Sequence, residues 1–103
     1  MKKSLDRTDV LHSIQNIEHP EIAETLMNLG MILDVAVDTN IVTIAMALPM
    51  FDIPSSVRNI LVDKLRGPIE ALGRELRIEF FEMTTEVKEK FFQTAKKRWK
   101  GYI

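Results

Sequence analysis

The chain has 103 residues, 46% of them apolar and 28% charged, with a net charge of −1 and no cysteine. That length holds one domain with a modest core and leaves no room for two. The near-zero charge argues against a whole-molecule nucleic-acid binder, and the missing cysteine excludes disulfides, thiolate-ligated zinc or clusters and a thiol nucleophile.

A cysteine-free chain fits a reducing cytoplasm, which is the expected compartment. The start, Met1-Lys2-Lys3-Ser4-Leu5-Asp6-Arg7, is basic, but no apolar run follows, so it does not read as a signal peptide. No stretch is apolar for the roughly 18 residues that a membrane helix needs. Residues 1–8 are expected to be a flexible lead into a single domain spanning 1–103. No repeat or low-complexity segment interrupts it.

In chain order, the spacing of Val10, Leu11, Ile14 and Ile17 predicts a first helix from Asp9 to Glu18, capped by Thr8 or Asp9. Pro20 at a first helical position and Glu21 in the first turn predict a second, short helix. Ile22, Leu26 and Leu29 form its apolar face, and Gly30 is its left-handed terminator. Met31–Asp38 reads as a strand, with Met31, Leu33, Val35 and Val37 on one face and Asp34 and Asp38 on the other. Ile41–Leu48 reads as a second strand with Val42, Ile44, Met46 and Leu48 facing together. Thr39-Asn40 between them predicts a tight antiparallel hairpin, since Asn tolerates positive φ.

Pro49 to Pro54 is a loop. A helix with a Val57, Ile60, Leu61 and Leu65 stripe follows from Ser55 to Arg66, and Gly67-Pro68 stops it, with one more turn to Gly73. Leu76–Met83 is a third strand, parallel to the second because a strand–helix–strand crossover is right-handed. A last helix, capped by Thr84 or Thr85, carries Val87, Phe91, Ala95 and Trp99 on one face to about Lys100. The expected class is an α+β two-layer sandwich, in the order ααββαβα, with a three-stranded mixed sheet covered by helices on one face. The other sheet face would carry Ile32, Asp34, Ala36, Ile41, Thr43, Ala45, Ala47 and Phe81. That half-apolar surface invites a partner or a second subunit.

The chemistry-bearing residues are few. His12 and His19 match no known ligand spacing and read as solvated or structural. Asp34 and Asp38 share a strand face and could do acid–base work or hold a hard cation, but polar residues on the wet side of a sheet are the simpler reading. Ser55-Ser56 reads as a helix cap rather than a nucleophile, and there is no phosphate-binding glycine motif. The scattered methionines read as core filling. From Thr84 onward, six Lys or Arg stand against two Glu, and Lys96-Lys97-Arg98-Trp99-Lys100 resembles a basic patch with an aromatic. It could mark a polyanion partner, but cations complementing a helix C-terminus, with Trp99 in the core seam, are the simpler reading.

Four features together resemble the iron–sulfur cluster assembly domain family. Its bacterial members include the SUF-system T-type and phenylacetate-pathway D-type proteins, and its eukaryotic relatives serve the cytosolic iron–sulfur targeting complex. Ile17-Glu18-His19-Pro20-Glu21 is similar to the family's Asp-Pro-Glu element. Thr25-Leu26, with Leu29-Gly30-Met31-Ile32-Leu33-Asp34, is similar to its Leu-Gly-hydrophobic stretch leading into the first strand. Val42–Leu48 enters a proline-rich loop, Leu48-Pro49-Met50-Phe51-Asp52-Ile53-Pro54, and the order of elements is the family's. The residues that carry the motifs are His19, Pro20, Glu21, Gly30 and Asp34.

Two positions depart from the family pattern. Ile53 stands at or near the place of the cysteine that members commonly carry, and His19 replaces the usual Asp. The resemblance therefore implies a non-enzymatic accessory or adaptor protein with no cofactor or metal of its own, acting on apoprotein clients or iron–sulfur assembly proteins. Met50, Phe51, Asp52, Ile53 and Phe81 are the expected partner-binding residues. The alternatives are a structural homodimer with no metal role and a weak nucleic-acid binder using the basic last helix. No membrane partner is expected.

Overall fold

The computed structural model describes residues 5–49 and 53–100. The elements in order are α1 (Arg7–Ile14), β1 (Ile32–Val37), β2 (Ile41–Leu48), α2 (Ser55–Ala71), β3 (Glu75–Glu82) and α3 (Thr85–Arg98). The strands form one mixed sheet in the order β1-β2-β3, with β1 antiparallel and β3 parallel to β2. The α+β class, the mixed sheet and the parallel crossover are as the sequence predicts.

Alternation sets the sheet's inner face. Val42, Ile44 and Met46 of β2 are fully buried, and their neighbours in register are Val37, Val35 and Ile32 on one side and Leu76, Ile78 and Phe80 on the other. The helices α1 and α2 lie against each other and against β1 and β3, contributing Val10, Ile14, Leu61, Leu65 and Ile69 to the core. The outer face carries Asp34, Ala36, Arg77, Glu79 and Phe81 exposed, while Ala47 is buried. The expected uncovered apolar face is thus interrupted by charge on β3.

Several local expectations are corrected. Asp6 caps α1, not Thr8 or Asp9. Its carboxylate accepts the Asp9 N–H at 2.9 Å while the Asp9 carboxylate accepts the Asp6 N–H at 3.1 Å, a reciprocal capping box that starts the helix at Arg7. Leu33 is 51% exposed rather than inward, because the register slips between Ile32 and Asp34 and the pleat is interrupted there. The β1–β2 turn uses no positive φ at Asn40. The Asp38 carboxylate instead accepts the Thr39 N–H at 2.7 Å. Ile60 is 44% exposed, and the buried stripe of α2 runs Leu61, Leu65, Ile69.

Gly67-Pro68 does not end α2. Proline removes one helical hydrogen bond and crowds the residue before it, and at that position Gly67 has no Cβ to collide. Helical continuation also buries Ile69 completely. The helix ends instead at Gly73, φ +78°, where the Arg74 N–H reaches the Ile69 carbonyl and the Gly73 N–H reaches that of Glu70. This is a Schellman closure.

The segment from Pro20 to Leu29 is not a helix. The His19 N–H donates to the Glu24 carbonyl and the Leu26 N–H to that of Ile17, forming an isolated antiparallel bridge between Glu18 and Thr25. The Ala23 N–H donates to the Arg98 carbonyl. Those tertiary bonds take the amides that a helix would use. Only one turn remains: Thr25 caps the Asn28 N–H through its hydroxyl, and Gly30, φ +76°, closes the turn with Gly30 N–H to Met27 O and Met31 N–H to Leu26 O. Gly30 is therefore the terminator the sequence predicts, at the end of a turn rather than a helix.

Candidate functional site

The end of the molecule where β2 and β3 finish is closed by the 17–31 segment and by α3. Thr84 caps α3, its hydroxyl accepting the Val87 N–H at 3.4 Å. Phe91 and Ala95 then point inward. The expected stripe fails at its last member. Trp99 leaves helical geometry, with φ −60° and ψ 134°, and pairs with Ile22 as an isolated antiparallel bridge while remaining 46% exposed. Lys100 completes the latch. Its N–H donates to the Glu21 carbonyl, and its ammonium lies 3.3 Å from the His19 carbonyl and 3.5 Å from the Glu18 carboxylate.

Between this latch and the start of α2 lies a cleft of about 360 Å³. Ile22, Phe91, Phe92 and Trp99 form one wall; Pro49, Ile53, Pro54 and Val57 form the other. The Arg58 guanidinium fixes the second wall, donating to the Ile53 carbonyl at 3.2 Å while its carbon lies 5.6 Å from the Phe80 ring centre. His19 and Glu21 supply the polar lining. A cavity of this size with apolar walls and few polar groups has the dimensions of a ligand or side-chain pocket.

His19 is only 6% exposed. Its Nδ1 accepts the Glu21 N–H at 2.9 Å, so the neutral ring carries its hydrogen on Nε2. The ring stands edge-on to Phe91, with centres 6.3 Å apart. Burial first, and then the charges of Lys100 and Lys64, push its pKa from 6.5 down to about 4. The imidazole is therefore an uncharged donor at neutral pH.

Of the expected site residues, His19, Glu21 and Ile53 meet at the cleft, with Pro20 on the backbone between the first two. Met50, Phe51 and Asp52 lie outside the described residues. Phe81 is 46% exposed on the outer sheet face and does not line the cleft, and Gly30 packs behind α3, 3.1 Å from the Val87 side chain by its notional Cβ. Asp34 is engaged elsewhere, by the Arg7 guanidinium at 3.1 Å. Asp38 spends one oxygen on its own turn, so the two aspartates form no paired site. The expected serine cap is not made: Pro54 takes the N-cap position of α2, no side chain bonds there, and Ser55 and Ser56 lie inside the first turn. Sequence reading missed Trp99 as a cleft residue, because the period of four from Val87 placed it in the helix stripe.

Among the described residues, no group of three His, Asp or Glu could hold a metal ion. The cleft itself offers one imidazole nitrogen and the Glu21 carboxylate against aliphatic and aromatic walls, and no thiolate. That donor set does not fit a resident iron–sulfur cluster. Among the described residues, no helix is long and apolar enough to cross a membrane. No protein-family model, no curated protein and no solved structure matches this chain.

Proposed function

We propose that the chain is a non-enzymatic accessory domain of iron–sulfur cluster maturation, working through contact with apoproteins or assembly factors. One observation carries this reading. The two segments that resemble the assembly domain family are remote in sequence, yet His19 and Glu21 of one and Ile53 and Pro54 of the other line the same cleft. A fold that keeps these segments together while an aliphatic side chain replaces the metal-binding position favours recognition over cluster chemistry. In the host of origin, deleting the gene is expected to lower the activity of iron–sulfur enzymes and spare cluster-free ones, and the tagged chain is expected to co-purify with cluster apoproteins or assembly proteins. Unchanged cluster-enzyme activity, together with a chain that purifies alone, overturns the proposal.

A structural homodimer is the second reading. The Phe81 ring, exposed on the outer sheet face beside the oppositely charged Arg77 and Glu79, favours it. Sedimentation over a range of concentrations distinguishes the two.

A further inference from the structure

The cleft gathers aromatic rings. Phe91, Phe92, Trp99 and the imidazole of His19 all line it. The planes of Phe91 and Phe92 stand 81° apart with centres 5.5 Å from each other, so the aromatic wall is bent rather than flat. Among the described residues, the one charged side chain in the lining is Glu21. It is half-buried, and among the described residues its carboxylate makes no hydrogen bond or ion pair. A carboxylate partly withdrawn from water and without a counter-ion attracts a cation, and so do the electron-rich faces of aromatic rings. We propose that this cleft binds an alkylated ammonium ion, its charged head between Glu21 and the rings of Phe92 and Trp99.

The walls select the kind of cation. A metal ion or a bare ammonium would have to exchange its water for one carboxylate and otherwise apolar surface. Alkyl groups on the nitrogen remove the N–H donors that would go unmatched there, and they pack against rings. A volume of about 360 Å³ leaves room for a hydrocarbon arm beyond the head, beside Ile22 and Val57. An anion meets no cationic side chain in the lining, and a neutral hydrocarbon makes no use of Glu21. The ammonium groups of Lys100 and Lys64 act on His19 and oppose a cation at that end. Neither residue lines the cleft, however, and the Lys100 ammonium is engaged by the Glu18 carboxylate at 3.5 Å. Binding is read on the purified chain with a small ion, so the inference stands or falls separately from the maturation role.

Choline and 3,3-dimethylbutan-1-ol have the same shape, one with a charged nitrogen where the other has a carbon. Each is titrated into the purified chain at constant ionic strength, with calorimetry and the emission of the single tryptophan, Trp99, as readouts. Choline should bind saturably at one site, and the alcohol about tenfold more weakly, the worth of a partly desolvated cation–ring contact. Hexyltrimethylammonium should bind more tightly than choline, because its arm is buried against the aliphatic wall. Glu21→Gln and Phe92→Leu change partly exposed side chains, which spares the core. Each should weaken choline severalfold and leave the alcohol unchanged. Acetylated trimethyllysine methylamide distinguishes the sources of the group. Tighter binding than hexyltrimethylammonium assigns it to a modified lysine on another protein, and weaker binding assigns it to a free small molecule. Equal affinity for choline and the alcohol overturns the proposal, as does the lack of saturable binding. So does a Glu21→Gln variant that binds choline as well as the natural chain does.

Discussion

Trp99 pairs its backbone with Ile22 at the point where α3 gives up its helical geometry, so the end of the last helix is stitched to the loop before the sheet. The Lys100 N–H, donated to the Glu21 carbonyl, adds a second stitch. Removing residues 99–103 should therefore loosen the 18–23 segment more than α3 itself. A loss of about 1–3 kcal/mol is expected at roughly 1 kcal/mol per hydrogen bond, read by urea denaturation. An unchanged midpoint would show that the stitches add nothing.

The buried imidazole gives stability a pH dependence of known sign. Folding lowers the His19 pKa from 6.5 to about 4, so between those values the unfolded chain binds more protons than the folded one. Stability is then complete above about pH 6.5 and declines as pH falls toward 4. Glu24, whose carboxylate accepts the Thr25 N–H, is held below its ordinary value; its contribution is present above that value and is lost only on further acidification. The interval from about pH 5 to 6.5 thus isolates His19. Denaturation midpoints measured across it should slope for the natural chain and flatten for His19→Gln.

Helix α2 carries a sign reversal. In the natural chain, Gly67→Ala should destabilise, because a Cβ before Pro68 is crowded in helical geometry. In a Pro68→Ala background the same change should stabilise by about 0.5–1 kcal/mol, since alanine is the better helix former and nothing else lies near the added Cβ. The same sign in both backgrounds would refute the account of how the helix passes its proline.

Gly30→Ala should cost at least about 1–2 kcal/mol. It forces a left-handed residue to carry a side chain, and that side chain meets Val87 at 3.1 Å. Thermal melting of Gly30→Ala beside Asp6→Ala gives the scale, since losing the α1 cap should cost about 1 kcal/mol. Thr8→Ala, which removes no cap, should be close to neutral.

Anaerobic reconstitution with iron and sulfide should leave no visible absorption that survives desalting, because Ile53 brings no thiolate to the cleft. A stoichiometric cluster would place the ligands outside the described residues and end the recognition-only reading.

What could be read from the chain was whatever depends on local pattern. The period of two in β2 and the capping at Thr84 lie within a few residues of one another in sequence, and the structure reproduces them. Gly30 and Gly73 behaved as terminators because positive φ is a local requirement. The misread positions were decided at a distance. Pro20–Leu29 read as helical until the carbonyls of Ile17 and Arg98 took its amides. Leu33 turned outward because of a slip against β2, which no pattern within β1 announces. The cleft was half legible. His19, Glu21 and Ile53 stood out through their resemblance to family motifs, but Trp99 joined them only because the chain unwinds after Arg98.

The slip between Ile32 and Asp34 has a consequence for how the molecule behaves in company. A three-stranded sheet has two free rims, and a straight rim is a template on which another chain can add a strand. The β1 rim is kinked where the register breaks, and beside the kink Asp34 is held by Arg7. The β3 rim runs through Glu75, Arg77, Glu79 and Glu82. With one rim kinked and the other charged, the sheet offers a poor template for strand addition although Leu33 and Phe81 stand in water beside it.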